Sequence, residues 1–223
     1  MGKDFEAGVR TAALFDLDGV IFDTEPQYTL FWGEVGRKYH PEVEHFEQKI
    51  KGQTLVQIFD RWFDGQKDLQ RQLTCELDDF ESRMAYAYVP GVEHFLSALR
   101  QAGICTAVVT SSNDAKMRNV YRQHAGFKAC FDRIFTSECF ARSKPAPDCY
   151  LTGAAAFGLP AGRCVVFEDS FNGLKAGRAA GMKVVGLSTT NAPEQICGLC
   201  DVVIPDFSGF SVEKMLDLLS GEE

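Results

Sequence analysis

The segment that most constrains the fold lies near the start of the chain, where an apolar run ends abruptly in two acidic residues. Residues 12–15 (Ala-Ala-Leu-Phe) show no polar alternation, which is typical of a parallel-sheet strand covered on both faces. Asp16 and Asp18 leave this strand together, because side chains two residues apart in an extended chain point the same way. Gly19 allows a sharp turn behind them. Ligands of open parallel sheets bind at this edge.

The two carboxylates need something to balance their charge. They repel each other unless a cation or a shared proton lies between them. A hard cation such as Mg²⁺, which prefers oxygen ligands, would stabilise both. The alternative is a polar strand end with solvated or capping Asp side chains, and the pair alone favours neither interpretation.

The rest of the chain predicts a two-part α/β protein. Residues 25–88 follow a helical pattern throughout, which predicts a small bundle inserted after the first strand. Strands and helices then alternate, which predicts right-handed βαβ units. The later strands are predicted at 104–109, 133–135, 164–167, 184–187 and 202–204. We therefore predict a Rossmann-like parallel sheet core from residues 1–24 and 89–223, with a small α-helical cap domain from 25–88.

Composition excludes several kinds of partner. The 223 residues are 45% hydrophobic and 24% charged, which suits one large domain or a domain with an insert. The net charge of −8, without a Lys/Arg stripe, argues against a nucleic-acid partner. The sequence has neither a signal-peptide pattern nor an 18-residue apolar run, so we expect no membrane partner. We expect a cytoplasmic monomer.

The eight cysteines are interpreted as buried free thiols, the default for such a chain. Cys197 and Cys200 match a CxxC pattern, but zinc would need a second ligand pair at suitable spacing. Cys200 is expected to open the last apolar strand. Both are therefore interpreted as structural.

Polar clusters follow or flank the main strands, and their convergence on one sheet edge is the basis of the functional hypothesis. The clusters are Asp16 and Asp18; Thr110, Ser111, Ser112 and Asn113; Glu168, Asp169 and Ser170; and the run 143–148, which contains Lys144. Each has a plain structural explanation, such as a helix cap for Thr110 or Asp169 and a surface position for Lys144. Together they fit one reaction.

That reaction is phosphoryl transfer through an aspartyl phosphate. Asp16 is predicted to attack phosphorus, and Asp18 to protonate the leaving oxygen and later deprotonate water or a hydroxyl. An anion attacking an anion requires charge neutralisation by Mg²⁺, a lysine and polar donors. The predicted phosphate ligands are Thr110, Ser111, Asn113 and Lys144. The predicted metal ligands are Asp16, Asp18, Asp169 and Glu168, the last as a ligand or a supporting carboxylate.

This set of motifs resembles that of the haloacid dehalogenase superfamily, in the branch whose helical cap follows the first motif. The motifs are residues 16–20 (DLDGV), 109–111 (VTS), 144–148 (KPAPD) and 168–170 (EDS). The likeness spans nearly the whole chain. It implies Mg²⁺-dependent chemistry on a small phosphorylated metabolite. Dehalogenases of this superfamily lack the second Asp, so Asp18 argues against that activity.

The resemblance is greatest to β-phosphoglucomutases and related sugar-phosphate phosphatases. The mutase cap carries a His where this chain has Tyr28, and an Arg after a Lys-Gly turn where this chain reads Gln53-Thr54-Leu55. These differences favour a phosphatase, with a hexose phosphate as a candidate substrate, over the alternative of a β-phosphoglucomutase. Arg71, Arg83 and Lys67 are candidate replacements for the missing cation. Glu25, Tyr28 and Gln53 are candidate specificity residues. The alternative is that they have structural roles at a helix start, in the core and in a turn.

Three other hypotheses are less well supported. A phosphonatase would need a cap lysine with a depressed pKa, and none of Lys38, Lys49, Lys51 and Lys67 lies in an obviously apolar context. A signalling receiver domain shares the acidic site but is shorter and has no cap. A catalytically silent scaffold would not need all four motifs.

Overall fold

The computed structural model describes residues 10–220. It contains one six-stranded sheet in the order β3-β2-β1-β4-β5-β6, with every neighbouring pair parallel. The strands are β1 (Ala12–Phe15), β2 (Cys105–Val109), β3 (Arg133–Phe135), β4 (Cys164–Glu168), β5 (Lys183–Leu187) and β6 (Val202–Ile204). The first strand therefore lies between β2 and β4, the two strands whose ends carry the other polar clusters.

Helices cover the sheet and form the insertion. Those before the second strand are α1 (Glu25–Tyr39), α2 (Phe46–Lys49), α3 (Leu55–Trp62), α4 (Lys67–Arg83) and α5 (Val92–Gln101). The later ones are α6 (Asp114–Gln123), α7 (Asp148–Phe157), α8 (Phe171–Ala179), α9 (Pro193–Ile196) and α10 (Val212–Ser220). The α/β class and the parallel sheet predicted from the sequence are confirmed.

Successive residues of β1 enter two different hydrophobic clusters, one on each face of the sheet. Phe15 stacks on Phe167 of β4 at a centroid distance of 4.6 Å and contacts Phe95 of α5 edge-on. Leu14 points to the other face, in the cluster that contains Tyr150 of α7. Both faces are apolar because both are covered by helices, which explains why the strand shows no polar alternation.

The four helices between β1 and α5 have a hydrophobic cluster of their own. Its buried members are Trp32, Val35, Phe46, Ile50, Ile58, Phe63 and Leu73. Gly36 lets α1 approach Phe46 closely, since a Cβ at Gly36 would lie 2.5 Å from that of Phe46. The separate cluster supports the predicted cap at 25–88, and the division into two domains stays a prediction.

The cysteine interpretation is only half right. All eight cysteines are free, and Cys200 is buried with its thiol donating to the Ile196 carbonyl. Cys75, Cys139 and Cys197 are exposed, because they lie on outward-facing turns of short or amphipathic helices. Cys200 does not open the last strand but lies two residues before it, and that strand has the predicted bounds of 202–204. No helix among the described residues combines the length and hydropathy needed to cross a membrane.

Candidate active site

Asp16 lies one residue beyond β1, at the carboxyl edge of the sheet. Its backbone N–H donates to the Phe167 carbonyl at 3.0 Å, which extends the pairing of β1 with β4. Its Oδ1 accepts a hydrogen bond from Lys144 Nζ at 2.8 Å. Burial raises the pKa of Asp16 to about 7 against the opposing charge of Lys144. The carboxylate thus needs more positive charge than one lysine supplies.

Lys144 is buried, contrary to the surface position that is usual for lysine. Besides Asp16, its Nζ donates to Glu168 Oε1 at 2.6 Å and to the Val109 carbonyl at 3.2 Å. Burial lowers the pKa of Lys144, but Asp16 and Glu168 outweigh it and hold that pKa above its ordinary value. Lys144 is therefore a fixed cation between two carboxylates.

Glu168, the last residue of β4, is fully buried and surrounded by donors. Its Oε1 accepts from Lys144 and from Tyr150 OH at 2.8 Å. Its Oε2 accepts from the backbone N–H of Asp169 at 3.0 Å and from the N–H and hydroxyl of Ser170 at 3.2 and 3.1 Å. These five donors occupy the acceptor positions of one carboxylate. The arrangement favours Glu168 as the group that holds Lys144 in place.

Three carboxylates could hold a metal ion. Oxygens of Asp16, Glu168 and Asp169 lie within 4.8 Å of one another. Asp169 Oδ1 is buried and has no hydrogen-bond partner among residues 10–220, while its Oδ2 accepts from the Thr190 hydroxyl. Burial raises the pKa of Asp169 well above its ordinary value, and Glu168 and Asp16 add to this effect. A hard divalent cation fits this donor set and the orphaned oxygen.

Asp18 does not join this group, although the sequence predicts it as a metal ligand. Its Oδ1 accepts from the Thr24 hydroxyl at 2.7 Å. Its Oδ2 accepts from the Ser112 hydroxyl at 3.0 Å and from Lys116 Nζ at 2.5 Å. Burial raises the pKa of Asp18, but Lys116 and these hydrogen bonds outweigh it, so the net shift is downward. The two acids of the first motif therefore have separate partners and separate charge balances.

Lys116 is the main site residue that the sequence analysis missed. It lies in the first turn of α6 and is only 4% exposed. Its Nζ lies 4.0 Å from Glu81 of α4 and 4.7 Å from the centre of the Tyr28 ring of α1. Tyr28 OH in turn donates to Glu81 at 2.6 Å. Lys116 thus connects Asp18 with two cap helices, a contact that nothing in its local sequence indicates.

The predicted phosphate ligands after β2 lie at the same edge. Thr110 is buried, and its hydroxyl accepts from the Ser112 N–H at 3.0 Å within the loop before α6, so it does not cap that helix. Ser111 is exposed to the cavity. The Asn113 side chain accepts from the Lys116 N–H at 2.8 Å and so caps α6. Asn113 therefore has a structural role in addition to its place in the cavity wall.

A cavity of about 440 Å³ separates this edge from the cap. Glu25 and Gln53, the predicted specificity residues, line it, as does Tyr28. Burial raises the pKa of Glu25. Gln53 Nε2 donates to the Lys49 carbonyl at 2.7 Å, so its amide group is partly engaged within the cap.

Hydrogen bonds join the cap to the core around this cavity. Asn172 Nδ2 donates to the Gly52 carbonyl at 2.8 Å. Lys51 Nζ donates to the Thr190 carbonyl, and Gln57 Nε2 donates to the Lys144 carbonyl, both at 3.2 Å. The loop before α3 therefore lies directly on the catalytic edge.

The candidate replacement cations do not reach the cavity. Arg71 pairs with Asp68, and Arg83 pairs with Asp79 at 2.5 Å, both on the exposed side of α4. Lys67 donates to a neighbouring glutamine of the same helix at 3.4 Å. The expectation that one of them replaces the missing mutase cation is therefore wrong in this structure. Each is held by a residue one turn away on its own helix.

Comparisons with known proteins agree on one family. Residues 11–181 match the family of haloacid dehalogenase-like hydrolases. Hexitol phosphatase A of Escherichia coli is 32% identical over 208 residues, which cover 90% of this chain and 93% of that protein. The bifunctional riboflavin kinase/FMN phosphatase of Arabidopsis thaliana is 27% identical over 216 residues, and the match covers 92% of this chain but 56% of that protein. The chain thus spans little more than half of the second relative.

A solved structure gives the same fold. The haloacid dehalogenase hydrolase of family IA, variant 3, from Entamoeba histolytica superimposes with a TM-score of 0.82 at 22% identity. The match covers 94% of this chain and 99% of that one, so it includes both the sheet and the inserted helices.

Proposed function

The chain belongs to the haloacid dehalogenase-like hydrolases and is an enzyme of their phosphatase type; on this premise we propose that it is a Mg²⁺-dependent phosphatase that acts through an aspartyl phosphate at Asp16. The observation that carries the proposal is that Asp16 and Asp18 each pair with a lysine of their own. Asp16 faces a buried ammonium group at 2.8 Å, and Asp18 faces another at 2.5 Å. One acid is thereby available for attack on phosphorus and the other for proton transfer.

The first chemical step forms one bond and breaks another. An oxygen of Asp16 attacks phosphorus, and the bond from phosphorus to the leaving alcohol oxygen breaks. Asp18 passes a proton to that oxygen. Because its surroundings favour the charged form, the proton must enter with the substrate, as it does when a phosphate monoester binds as its monoanion.

In the second step Asp18 takes a proton from water, whose oxygen attacks phosphorus and releases Asp16. Lys144 stays charged throughout and balances the phosphoryl oxygens. Mg²⁺, held by Asp16 and Asp169 with Glu168 alongside, would supply the further positive charge that transfer between two anions requires.

The proposed substrate is a small phosphorylated metabolite, with a hexose or hexitol phosphate as the first candidate. The 32% identity to a hexitol phosphatase over nearly its full length supports this class. A cytoplasmic location, a monomeric state and the absence of nucleic-acid or membrane partners belong to the same proposal. The net charge of −8 supports one part of it, the absence of a nucleic-acid partner.

Metal removal tests the metal part of this proposal. We expect EDTA to abolish phosphate release and added Mg²⁺ to restore it, because Lys144 pairs with only two of the three clustered carboxylates, Asp16 and Glu168, and Asp169 has no cation partner among the described residues. The measurement is phosphate release from a monoester panel before and after chelation, with circular dichroism to show that the fold is retained. Full activity in EDTA would contradict the proposed metal site.

β-Phosphoglucomutase activity is the second candidate. A mutase must hold a second phosphoryl group, and the cations proposed for that task lie outside the cavity. The test is to incubate the enzyme with β-glucose 1-phosphate, Mg²⁺ and a trace of glucose 1,6-bisphosphate while following both products. Free phosphate supports the phosphatase, and rapid glucose 6-phosphate without phosphate release would support the mutase.

A further inference from the structure

The cavity above Asp16 has two halves with different charges. The core half holds the ammonium groups of Lys144 and Lys116, each within 2.8 Å of a catalytic carboxylate. In the cap half, Lys51 is the one lysine of the described residues that lines the cavity, and its Nζ donates to the carbonyl of Thr190, another lining residue, at 3.2 Å. Among the described residues, no arginine or histidine lines the cavity.

Carboxylates and apolar groups make up most of the cap half. The carboxylates are Glu25, Glu47, Asp78 and Glu81. The larger apolar and aromatic side chains are Tyr28, Trp32, Ile50, Leu55, Ile58 and Leu77. Glu81 lies 4.0 Å from Lys116, whose closest partner is Asp18, so the positive charge there is already shared. The net charge that the cap presents to a substrate is therefore negative.

We propose that the cap half selects phosphate monoesters whose alcohol portion is uncharged, and rejects those with a second anionic group. The inference rests on the proposed phosphatase function and names the substrate class of the same cavity. The phosphoryl group binds beside Lys144 at the core edge, so the alcohol portion extends toward the four cap carboxylates. A second phosphate or a carboxylate there meets four carboxylates and a single cation, Lys51, whose Nζ is already bound to the Thr190 carbonyl.

An uncharged polyhydroxylated alcohol portion fits the same lining well. Its hydroxyls donate to carboxylate oxygens, which accept hydrogen bonds without needing a counter-charge. Its C–H surfaces pack against Trp32 and the neighbouring aliphatic side chains. The cap thus combines attraction for a neutral sugar or polyol with repulsion of its acidic counterpart.

The experiment compares two pairs of substrates that differ in a single group. Glucitol 6-phosphate and 6-phosphogluconate differ by a hydroxymethyl group against a carboxylate at the far carbon. Glycerol 3-phosphate and 3-phosphoglycerate differ in the same way on a shorter chain. We expect kcat/KM to favour the neutral member by about tenfold to a hundredfold in at least one pair, because opposed like charges are costly in a shielded cavity. p-Nitrophenyl phosphate serves as the general phosphatase probe.

A charge reversal in the cap isolates the cause. Asp78 is an exposed residue of α4 that lines the cavity, and Asp78→Lys should lower the preference for the neutral member severalfold. Glu76→Lys makes the same charge change on the same helix, at an exposed position outside the cavity lining. It should leave the preference unchanged.

The outcomes separate this inference from the function on which it rests. Hydrolysis of p-nitrophenyl phosphate without a preference for the neutral member of either pair overturns the inference and leaves the phosphatase intact. Equal effects of Asp78→Lys and Glu76→Lys also overturn it, because the selectivity would then arise from net charge. The absence of phosphate release from every probe would refute the phosphatase itself.

Discussion

At the scale of single residues, Lys116 determines how the second acid of the site is held. Its ammonium group lies 2.5 Å from a carboxylate oxygen of Asp18. The Lys116 side chain is 4% exposed and the Asp18 side chain is 20% exposed. Asp18 also has hydroxyl partners in Thr24 and Ser112. Of these three, Lys116 alone brings charge, so it is the partner that keeps Asp18 ionised and aimed at the cavity.

We predict that Lys116→Met lowers kcat at least about tenfold with a smaller change in KM, because Asp18 loses its orientation while the phosphate site remains. Stability should fall by about 2 kcal/mol, less than the ~3–5 kcal/mol of a fully buried pair because Asp18 is partly exposed. Steady-state kinetics and urea unfolding measure the two effects. Lys128→Met, at a lysine stacked on Tyr121 at the surface, is the control. An unchanged kcat would refute the positioning role of Lys116.

The sequence predicts the site residues that follow strands and misses those that reach it from elsewhere. Asp16 and Glu168 were identifiable because each directly follows or ends an apolar run. Lys144 was identifiable through its motif. Lys116, by contrast, lies on an amphipathic helix, where a lysine is normally solvent-exposed, and only the packing of α4 against α6 buries it.

At the scale of secondary structure, the first turn of α8 supports the catalytic edge. Gly173 lies in that turn, and a Cβ there would overlap the Glu168 carboxylate. Ser170 caps the same turn, its hydroxyl accepting from the Gly173 N–H at 3.1 Å. The helix therefore approaches β4 closely enough to fix Glu168, which in turn holds Lys144.

We predict that Gly173→Ala lowers kcat by roughly a hundredfold, because displacing Glu168 by about an ångström moves Lys144 away from Asp16. The kinetics should be compared with those of Gly198→Ala, where nothing lies within 4 Å of the added Cβ. Circular dichroism would verify that both variants fold. A Gly173→Ala enzyme with normal kcat would show that Glu168 is not needed to hold Lys144.

Strand positions followed from the sequence more readily than helix ends. The third and sixth strands, at 133–135 and 202–204, have the predicted bounds, and each begins directly after an aspartate, Asp132 or Asp201. The sequence does not specify helix ends to the residue, because a helix end depends on its cap, as at α6, where the Asn113 side chain caps the first turn. Capping depends on backbone angles that composition does not specify.

At the scale of the whole molecule, the cavity is formed by parts of the chain that are far apart in sequence. The cap contributes Asp78, and the core contributes Asp16 and Lys144. The helical pattern of residues 25–88 predicts that a cap exists, but not which of its faces meets the sheet. Only the three-dimensional arrangement shows that Arg71 and Arg83 each pair with an aspartate on the exposed side of α4. The same holds for the negative charge of the cap lining.

The central claim is that Asp16 carries the phosphoryl group during turnover. The most direct measurement is to acid-quench the enzyme during turnover with Mg²⁺, reduce it with borohydride and analyse its peptides by mass spectrometry. Reduction converts an aspartyl phosphate to homoserine, so the account predicts homoserine at position 16, and none there in the inactive variant Asp16→Asn. Phosphate release with homoserine absent, or found at another acid such as Asp18, would contradict it.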